Sequence, residues 1–259
     1  MTRQFRAITT CHKQGWDKYG RNMVDAYLRH WPSEVPLTFY TEDTVPRTPG
    51  IELRSLPSWL FEFVAKHKPN RKACGMNTNA PDRGQYNYRF DAVRFAYKTG
   101  AVIDAVERAD CDILIWVDAD TVTHSPVSLT FLRELAPNMD QVISWLYRVG
   151  KYPECGFYML NLRNPLTAHL IREWKDLYLS GRLFHLPEWH DSYVLEQLVK
   201  TLKCPAHSIS GAGESTHHPF INGPLGAVMD HMKGVRKDAG RSSTRDLKVM
   251  RDEKYWKRT

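Results

Sequence analysis

The order of apolar segments along the chain predicts strands that alternate with helices. Residues 5–10 and 37–41 are short apolar stretches typical of strands, and residues 21–31 between them place apolar side chains at helical spacing. The segment DILIWV, residues 112–117, forms an apolar run typical of a central strand buried on both faces. Strands separated by helices favour a parallel sheet. The pattern predicts an α/β fold, and the length of 259 residues fits one large domain or two small ones.

The rest of the chain continues this alternation. Hydrophobic spacing and helix-capping residues predict helices over residues 57–68, 88–109, 164–180 and 188–202, and strands over residues 142–145 and 157–162. Residues 69–87 and 205–226 have no hydrophobic period and are predicted to be long loops. Glu154 is predicted to lie in a further loop, just before a strand.

The composition is that of an ordinary globular protein. The 259 residues are 42% hydrophobic and 25% charged, which excludes a disordered, collagen-like or disulfide-scaffold chain. The five cysteines form no CxxC pair, and their odd number favours reduced thiols. No segment has the length and apolarity of a signal peptide or a transmembrane helix. A cytoplasmic location is therefore expected.

The positive charge is concentrated at the C-terminal end. Residues 1–232 hold 26 basic and 25 acidic side chains, a net charge of +1, whereas residues 233–259 hold 10 basic and 4 acidic side chains, a net charge of +6. Together they give the net charge of +7. A local basic segment is thus expected, and a nucleic-acid-binding protein that uses this basic tail is one alternative function.

The sharpest chemical feature is the sequence Asp118-Ala119-Asp120, directly after the apolar run. The carboxyl end of a buried parallel strand lies at the crevice where α/β proteins bind ligands. Two carboxylates there suit a divalent cation with oxygen ligands, Mn²⁺ or Mg²⁺, and such a cation commonly bridges a diphosphate. An ordinary turn is the alternative, because Asp is common after strands. No GxGxxG or Walker loop is present, which argues against dinucleotide oxidoreductases and P-loop enzymes.

The segment IWVDADTVTHSP resembles the metal-binding segment of nucleotide-sugar-dependent glycosyltransferases of the GT-A fold. Two further segments agree: FRAITTCHKQGW with LTFYTED is similar to the nucleotide-binding half of that family, and GFYMLN resembles the strand after its acceptor loop. The resemblance implies a GT-A-like (Rossmann-like) α/β fold, with a mixed, mainly parallel sheet flanked by helices in a single compact domain over residues 1–259. It implies that residues 1–125 form the nucleotide-sugar-binding half, residues 126–232 the acceptor half and residues 233–259 a basic C-terminal tail.

The same resemblance implies the activity and the donor site. The enzyme would be a metal-dependent, hexosyltransferase-like glycosyltransferase that moves a sugar from a nucleoside-diphosphate sugar to an acceptor hydroxyl. Its metal, Mn²⁺ or Mg²⁺, would be held by Asp118, Asp120 and a late histidine, His231, whose imidazole can complete the coordination. The resemblance assigns donor binding to Thr9, Thr10, Arg94, Lys98, Asp118, Lys233 and Gly234.

Two carboxylates are candidates for the catalytic group. Asp191 opens a predicted helix, where it can point a carboxylate into the cleft, and the resemblance implies that it binds donor-sugar hydroxyls or acts as a base. Its alternative role is an acid that complements the helix dipole. Glu154 is the second candidate.

The acceptor is expected to be anionic. The basic tail and the Arg- and Lys-rich residues 68–89 favour a modified DNA base such as a hydroxymethylated pyrimidine, a lipopolysaccharide or other glycan, or a lipid-linked acceptor. A nucleotidyltransferase remains a further alternative function, because such enzymes are also α/β proteins with carboxylate-held Mg²⁺. It would require a Gly-rich phosphate loop near the N-terminus, to which TTCHKQGWDKYG corresponds only poorly.

Overall fold

The computed structural model describes residues 3–43, 45–79, 81–108 and 110–257. Nine strands run in the order β1 Phe5–Cys11, β2 Leu37–Thr41, β3 Glu52–Ser55, β4 Ile113–Val117, β5 Thr121–Thr123, β6 Ile143–Leu146, β7 Glu154–Asn161, β8 Ala206–Ser208 and β9 Met229–His231 in the described part. The α-helices of these residues are α1 Lys13–Gly15, α2 Arg21–His30, α3 Ser58–His67, α4 Ala92–Glu107, α5 Leu129–Leu135, α6 Pro165–Leu179, α7 Asp191–Thr201, α8 Pro219–Asn222, α9 Arg236–Ala239 and α10 Lys254–Lys257.

Seven strands form one sheet in the order β3-β2-β1-β4-β7-β6-β8. The pairs β1–β2, β1–β4, β2–β3 and β6–β8 are parallel, whereas β7 is antiparallel to both of its neighbours, β4 and β6. Helices cover both faces of the sheet. The predicted α/β class, with a mixed, mainly parallel sheet flanked by helices, is confirmed.

Each face of the sheet has its own hydrophobic core, and β4 contributes to both. Ile113, Ile115 and Val117 pack on the side of α2 and α5, whereas Leu114 and Trp116 pack on the side of α3, α4 and α6. Successive side chains of a strand point to opposite faces, so a strand buried on both sides must be apolar throughout. This burial explains why residues 113–117 are the most apolar run in the sequence.

Several predicted boundaries move in the structure. Strand β7 begins at Glu154 rather than at residue 157, so Glu154 is a buried strand residue (3% exposed) and not a loop residue. Helix α7 begins at Asp191 rather than at residue 188, because the His190 side chain caps it by accepting from Tyr193 N. The predicted helix over residues 88–109 divides into a 3-10 turn and α4; its last residue, Ala109, lies outside the described residues.

The basic C-terminal segment packs against the domain instead of running over its surface. Trp256 is 3% exposed and donates from Nε1 to the Gly226 carbonyl at 2.7 Å. The Tyr255 hydroxyl donates to Asp230 at 2.7 Å. Within the segment itself, the Arg236 guanidinium binds the Asp246 carboxylate through two nitrogens. Residues 258–259 of the predicted tail lie outside the described part of the chain.

Two broader expectations concern cysteine and membrane chemistry. All five cysteines are free thiols, as their spacing predicts. Among the described residues, none of the helices combines the length and the apolar character that crossing a bilayer requires.

Candidate active site

A cavity opens at the carboxyl ends of β1, β2 and β4. From β1 the chain passes first to β2 on one side and later to β4 on the other, which makes the β1–β4 boundary the switch point where open α/β sheets bind ligands. The volume of the cavity is about 150 Å³, and it is bordered by polar and charged side chains that include Thr10, His12, Tyr19, Glu42, Arg94, Lys98, Asp118, Asp120, Asp191 and Lys237. The sheet topology therefore gathers residues from distant parts of the chain at one crevice.

The two aspartates after β4 line this cavity and contact His231 behind its wall. The short strand β5 begins at Thr121 and pairs antiparallel with β9, so that Thr121 lies opposite His231. His231 Nε2 is 3.1 Å from Asp120 Oδ1 and 3.4 Å from Asp118 Oδ2. Each of the three residues offers one ligand atom, and these atoms lie within 4.8 Å of one another. The predicted metal ligands are thus brought together.

The Glu154 carboxylate fixes the orientation of the His231 imidazole. His231 Nδ1 is 2.8 Å from Glu154 Oε1, and this contact leaves Nε2 facing the two aspartates. Metal-binding histidines usually donate their other ring nitrogen to a carboxylate in this manner, which sets the tautomer and the ring orientation. Two carboxylates and one oriented imidazole are a donor set that fits Mn²⁺ or Mg²⁺.

Burial and ion pairing compete in setting the pKa values of these groups. Burial raises the pKa of the Asp118 and Asp120 carboxyls, but the charges of Lys98 and His231 outweigh it and hold both below their usual range. Burial also opposes ionisation of Glu154 and His231. The Lys233 charge nevertheless lowers the pKa of Glu154, and Asp120 raises the pKa of His231. The site is therefore an array of ionised carboxylates held by cations.

Lys98 connects the metal-site carboxylates to the predicted catalytic carboxylate. It projects from α4, is 7% exposed, and its Nζ lies 2.9 Å from Asp118 Oδ1 and 2.8 Å from Asp191 Oδ2. The same nitrogen donates to the Cys155 carbonyl at 2.5 Å. Although burial lowers its pKa, the two aspartates outweigh burial and raise it well above the usual value. Lys98 thus remains charged and holds the two carboxylates in place.

Asp191 is the first residue of α7, and its carboxylate faces the cavity. Its Oδ1 accepts from the Ser192 backbone N–H at 2.8 Å, while Oδ2 pairs with Lys98. The preceding residue, His190, lies with its Nε2 2.8 Å from Glu188 Oε2. The contacts of Asp191 fix its carboxylate at the wall of the cavity.

The remaining predicted donor residues fall into two groups. Thr10 and Arg94 border the cavity: Thr10 Oγ1 donates to the Tyr40 carbonyl at 2.8 Å, and an Arg94 Nη donates to the Tyr86 hydroxyl at 3.0 Å. Thr9 is buried within β1 and is not among the cavity residues. Lys233 pairs with Glu154 Oε2 at 2.7 Å and borders a different cavity.

The structure adds Lys237 to the site, a residue that the sequence analysis assigned to the tail. Its Nζ is 2.6 Å from Asp120 Oδ2 and lies 4.9 Å from the centre of the Tyr19 ring. Gly234 adopts φ +57°, a left-handed conformation that favours glycine, and α9 then carries Lys237 back to the cavity. In the sequence, the signal for this arrangement is Gly234, a residue that permits a tight turn, followed three residues later by Lys237.

Glu42 is a second cavity residue that the sequence analysis missed. It follows β2 directly, and Thr10 Oγ1 lies 3.4 Å from its Oε1. Burial raises the pKa of this carboxyl to about 7, while the hydrogen bond from Thr10 opposes the rise and the neighbouring Asp43 adds to it. Its position after a strand that is parallel to β1 predicts that it shares the crevice.

Comparison with known proteins gives only a loose structural likeness. No protein-family model and no curated protein matches the chain by sequence. Among solved structures it is similar to the glycosyltransferase GlyE of Streptococcus pneumoniae TIGR4, with 13% identity, a TM-score of 0.48, and coverage of 80% of this chain and 45% of that one. The apo form of GlyE gives 14% identity, a TM-score of 0.47 and coverage of 81% and 46%. The chain therefore spans less than half the length of these proteins.

Proposed function

We propose that this protein is a metal-dependent glycosyltransferase with a GT-A-like fold, which uses a nucleoside-diphosphate sugar as donor. One observation carries the proposal: Asp118, Asp120 and His231 converge at the β1–β4 switch point, with their ligand atoms within 4.8 Å of one another. A divalent cation held there, Mn²⁺ or Mg²⁺, supplies the positive charge that neutralises a departing diphosphate. The sugar that the donor carries is proposed to be a hexose.

The diphosphate of the donor would lie beside Lys237. The ammonium of Lys237 lies in the cavity and pairs with Asp120, so it is already next to the three proposed metal ligands. A lysine can donate three hydrogen bonds to phosphate oxygens, and bonds between charged groups are stronger than neutral ones. Gly234 supports this role by turning the chain into α9. Lys233 would act indirectly: it pairs with Glu154, and Glu154 orients His231.

The nucleoside of the donor would lie along the ends of β1 and β2. The cavity wall there contains Thr10, Glu42 and Arg94, together with the Tyr19 ring. These side chains offer hydrogen-bond donors and acceptors as well as an aromatic face, which are the features that orient a ribose and a base. Residues 1–125 would thus supply most of the nucleotide site, residues 126–232 the acceptor side, and residues 233–259 the returning lysine.

Asp191 is the proposed catalytic group. Its carboxylate is on the cavity wall, where its ion pair with Lys98 holds it in a position to orient donor-sugar hydroxyls or to take a proton. In the transfer, the acceptor oxygen forms a bond to the anomeric carbon, the bond from that carbon to the diphosphate breaks, and the diphosphate leaves with the electron pair. The acceptor proton passes to Asp191. Glu154, the second candidate, is buried and would act by positioning His231.

The alternative functions have weaker support from the site. A nucleic-acid-binding tail needs free cations, but Lys233 and Lys237 pair with Glu154 and Asp120 of the domain. Arg236 and Arg251 pair with the acidic residues Asp246 and Glu253 of the tail itself. A nucleotidyltransferase would form its phosphate loop after β1, and the residues there, Lys13–Gly15, form a short helical turn. The free cysteines support a reducing compartment such as the cytoplasm.

The proposal is tested by product release. The purified protein is incubated with Mn²⁺ and a panel of sugar nucleotides, with water or simple sugars as acceptors, and nucleoside diphosphate release is measured. One member of the panel should release it, and Asp118→Asn should lower the rate by about 100-fold or more, the usual effect of losing a group that stabilises transition-state charge. Asp25→Asn, on the exposed face of α2, is the matched control. Pyrophosphate release from nucleoside triphosphates would favour a nucleotidyltransferase instead.

A further inference from the structure

A second, larger cleft lies next to the cavity at the ends of β1, β2 and β4, which is the proposed donor site and is called the donor cavity from here on. Its volume is about 740 Å³, and its walls come from the turn that precedes α4, the loop between β6 and β7, and the outer side of α7. The loop between β6 and β7 leaves the sheet at the same edge as the end of β4, because β7 is antiparallel to β4. The cleft therefore opens on the same side of the sheet as the donor cavity.

The charges that border this cleft are mostly positive. Arg89, Arg148, Lys151 and Lys200 contribute four cations, and Glu196 contributes one carboxylate. Arg148 is held in place, because its Nε donates to the Tyr152 carbonyl at 2.6 Å. Arg89 lies 3.3 Å from Glu188 and Lys200 lies 3.1 Å from Glu196, so two of the four cations already have a carboxylate partner. The cleft still carries an excess of positive charge, and a concave surface of this kind attracts an anionic ligand.

Tyrosine rings form the other part of the wall. Tyr88 and Tyr147 are 49% and 37% exposed, although both are large side chains with an apolar face. The Tyr152 hydroxyl donates to Glu188 Oε1 at 3.2 Å, which fixes that ring at the base of the cleft. An exposed tyrosine combines a flat apolar face with a hydroxyl, and it is a common contact for ligands that are themselves part apolar and part polar, such as a sugar ring.

The His190 ring joins this cleft to the donor cavity. The centre of the imidazole is 5.4 Å from the centres of both the Tyr88 and Tyr152 rings, which border the cleft. It is also 6.0 Å from the centre of the Phe95 ring, which borders the donor cavity. The next residue is Asp191, the proposed catalytic group. The cleft and the donor cavity thus lie on either side of the His190 ring, and a ligand at the end of the cleft nearest His190 would lie close to Asp191.

We propose that this cleft binds the acceptor, and that the acceptor is a sugar carrying an acidic group, either a phosphate or a carboxylate. This inference rests on the proposed glycosyltransferase function. The tyrosine faces hold the sugar ring, and Arg89, Lys151 and Lys200 bind the acidic group. An acceptor hydroxyl that extends past His190 into the donor cavity then forms the new bond to the anomeric carbon, while the donor diphosphate leaves with the electron pair and the proton passes to Asp191.

The acceptor class is tested with matched pairs of sugars. Binding of the 6-phosphates and uronic acids of glucose, galactose and mannose is compared with that of the neutral parent sugars, by saturation-transfer NMR on the full chain. At least one anionic sugar should bind about 10-fold more tightly than its parent, the difference expected for one charged hydrogen bond. Equal binding of every pair overturns the proposal. Inorganic phosphate as a competitor separates a sugar site from a simple phosphate site, and stronger binding of phosphate alone also overturns it.

Variants locate the binding. Arg89→Gln and Tyr147→Ala should each weaken the anionic sugar by about 5-fold or more, since each removes one contact of the order of 1 kcal/mol. Arg172→Gln and Phe61→Ala, an exposed arginine and an exposed aromatic residue on other helices, are the matched controls and should bind as the wild type does. Thermal unfolding checks that all four variants fold. Loss of binding in the controls, or none in the cleft variants, places the sugar elsewhere and overturns the proposal.

A donor measurement separates this inference from the proposed function. Nucleoside diphosphate binding with Mn²⁺ is measured on the same samples, because the cleft residues do not border the donor cavity. If the donor binds and the anionic sugars do not, the acceptor proposal fails alone. If the sugars bind and no nucleotide does, the glycosyltransferase function fails. A single-stranded oligonucleotide that binds the cleft more tightly than every sugar overturns the sugar acceptor in favour of nucleic acid.

Discussion

The imidazole of His231 packs directly on the backbone of Gly156. A methyl group at the Cβ position of Gly156 would lie 2.5 Å from His231 Cε1, well inside the closest approach of two carbon atoms. Gly156 is the third residue of β7, and its carbonyl accepts from the Asp118 N–H at 2.9 Å. A residue without a side chain at this position therefore allows the imidazole to lie beside the aspartates.

Substitution of that glycine should damage the metal site. Gly156→Ala would push His231 away from Asp120, and metal affinity should fall by about 10- to 100-fold, the range seen when the support of a metal ligand is removed. Mn²⁺ titration by calorimetry measures the change. Cys155→Ala alters the next side chain, which packs in the core on the opposite face of the sheet. This control should change Mn²⁺ affinity by less than about 2-fold even if stability falls. Unchanged Mn²⁺ affinity in Gly156→Ala would contradict the claim that His231 binds the metal from its position against Gly156.

The two lysines after His231 should differ in their effects. Lys237 lies in the donor cavity, so Lys237→Ala should weaken nucleoside diphosphate binding in the presence of Mn²⁺ by about 10-fold or more, as expected for the loss of a charged hydrogen bond. Lys233 pairs with buried Glu154, so Lys233→Ala should mainly lower the free energy of unfolding, by about 1–3 kcal/mol. Calorimetry and denaturant unfolding measure the two quantities. A larger loss of nucleotide binding in Lys233→Ala would restore the donor role that the sequence analysis assigned to Lys233.

Local sequence patterns predicted the centre of the sheet and the acidic pair. Residues 113–117 are apolar because both faces of β4 are buried, and Asp118 and Asp120 then stand at its end, so one short segment carried both predictions. His231 was also proposed from a local resemblance. The structure brings it to the aspartates through β5 and β9, strands of three residues that are too short for a hydrophobic period.

The features that the sequence analysis missed depend on tertiary contacts. Glu154 was expected in a loop because it lies just before the strand segment GFYMLN. Its partners His231, Lys233 and His218 make its burial acceptable. Lys237 was assigned to the basic C-terminal tail because the excess positive charge of the chain lies in residues 233–259. Its ion pair with Asp120 arises from the turn at Gly234, whose direction cannot be obtained from charge counts.

Stability should depend on pH through Glu42. Its pKa is raised from 4.5 to about 7, mainly by burial, so folding favours the protonated carboxyl. The stabilising contribution is full below pH 4.5 and is lost as the pH rises through about 7. Glu42→Gln keeps a neutral side chain at every pH, so its free energy of unfolding should rise relative to the wild type between these values, by about 1–3 kcal/mol. Urea unfolding over this pH range measures the difference, with exposed Glu34→Gln as the control. A difference that does not change with pH would refute the raised pKa.

Removal of the Lys98 charge should destabilise the fold. Lys98→Met leaves Asp118 and Asp191 facing each other without their shared cation, and breaking such a buried pair costs about 3 kcal/mol. Denaturant unfolding gives the free-energy change, and Lys66→Met, an exposed lysine of α3, should change it by less than about 0.5 kcal/mol. Equal stability of Lys98→Met and the wild type would show that the two aspartates do not depend on this lysine.

The central claim is that Asp118, Asp120 and His231 hold a divalent cation that binds a diphosphate. Calorimetric titration of a nucleoside diphosphate, with and without Mn²⁺, into the wild type, Asp120→Asn and the exposed-carboxylate control Asp25→Asn tests it most directly. Mn²⁺ should raise the nucleotide affinity of the wild type and of Asp25→Asn by about 10-fold or more, because a bound cation adds charged contacts to the phosphates. It should have no such effect on Asp120→Asn. If Asp120→Asn binds the nucleotide with Mn²⁺ as tightly as the wild type does, the metal–diphosphate site is contradicted.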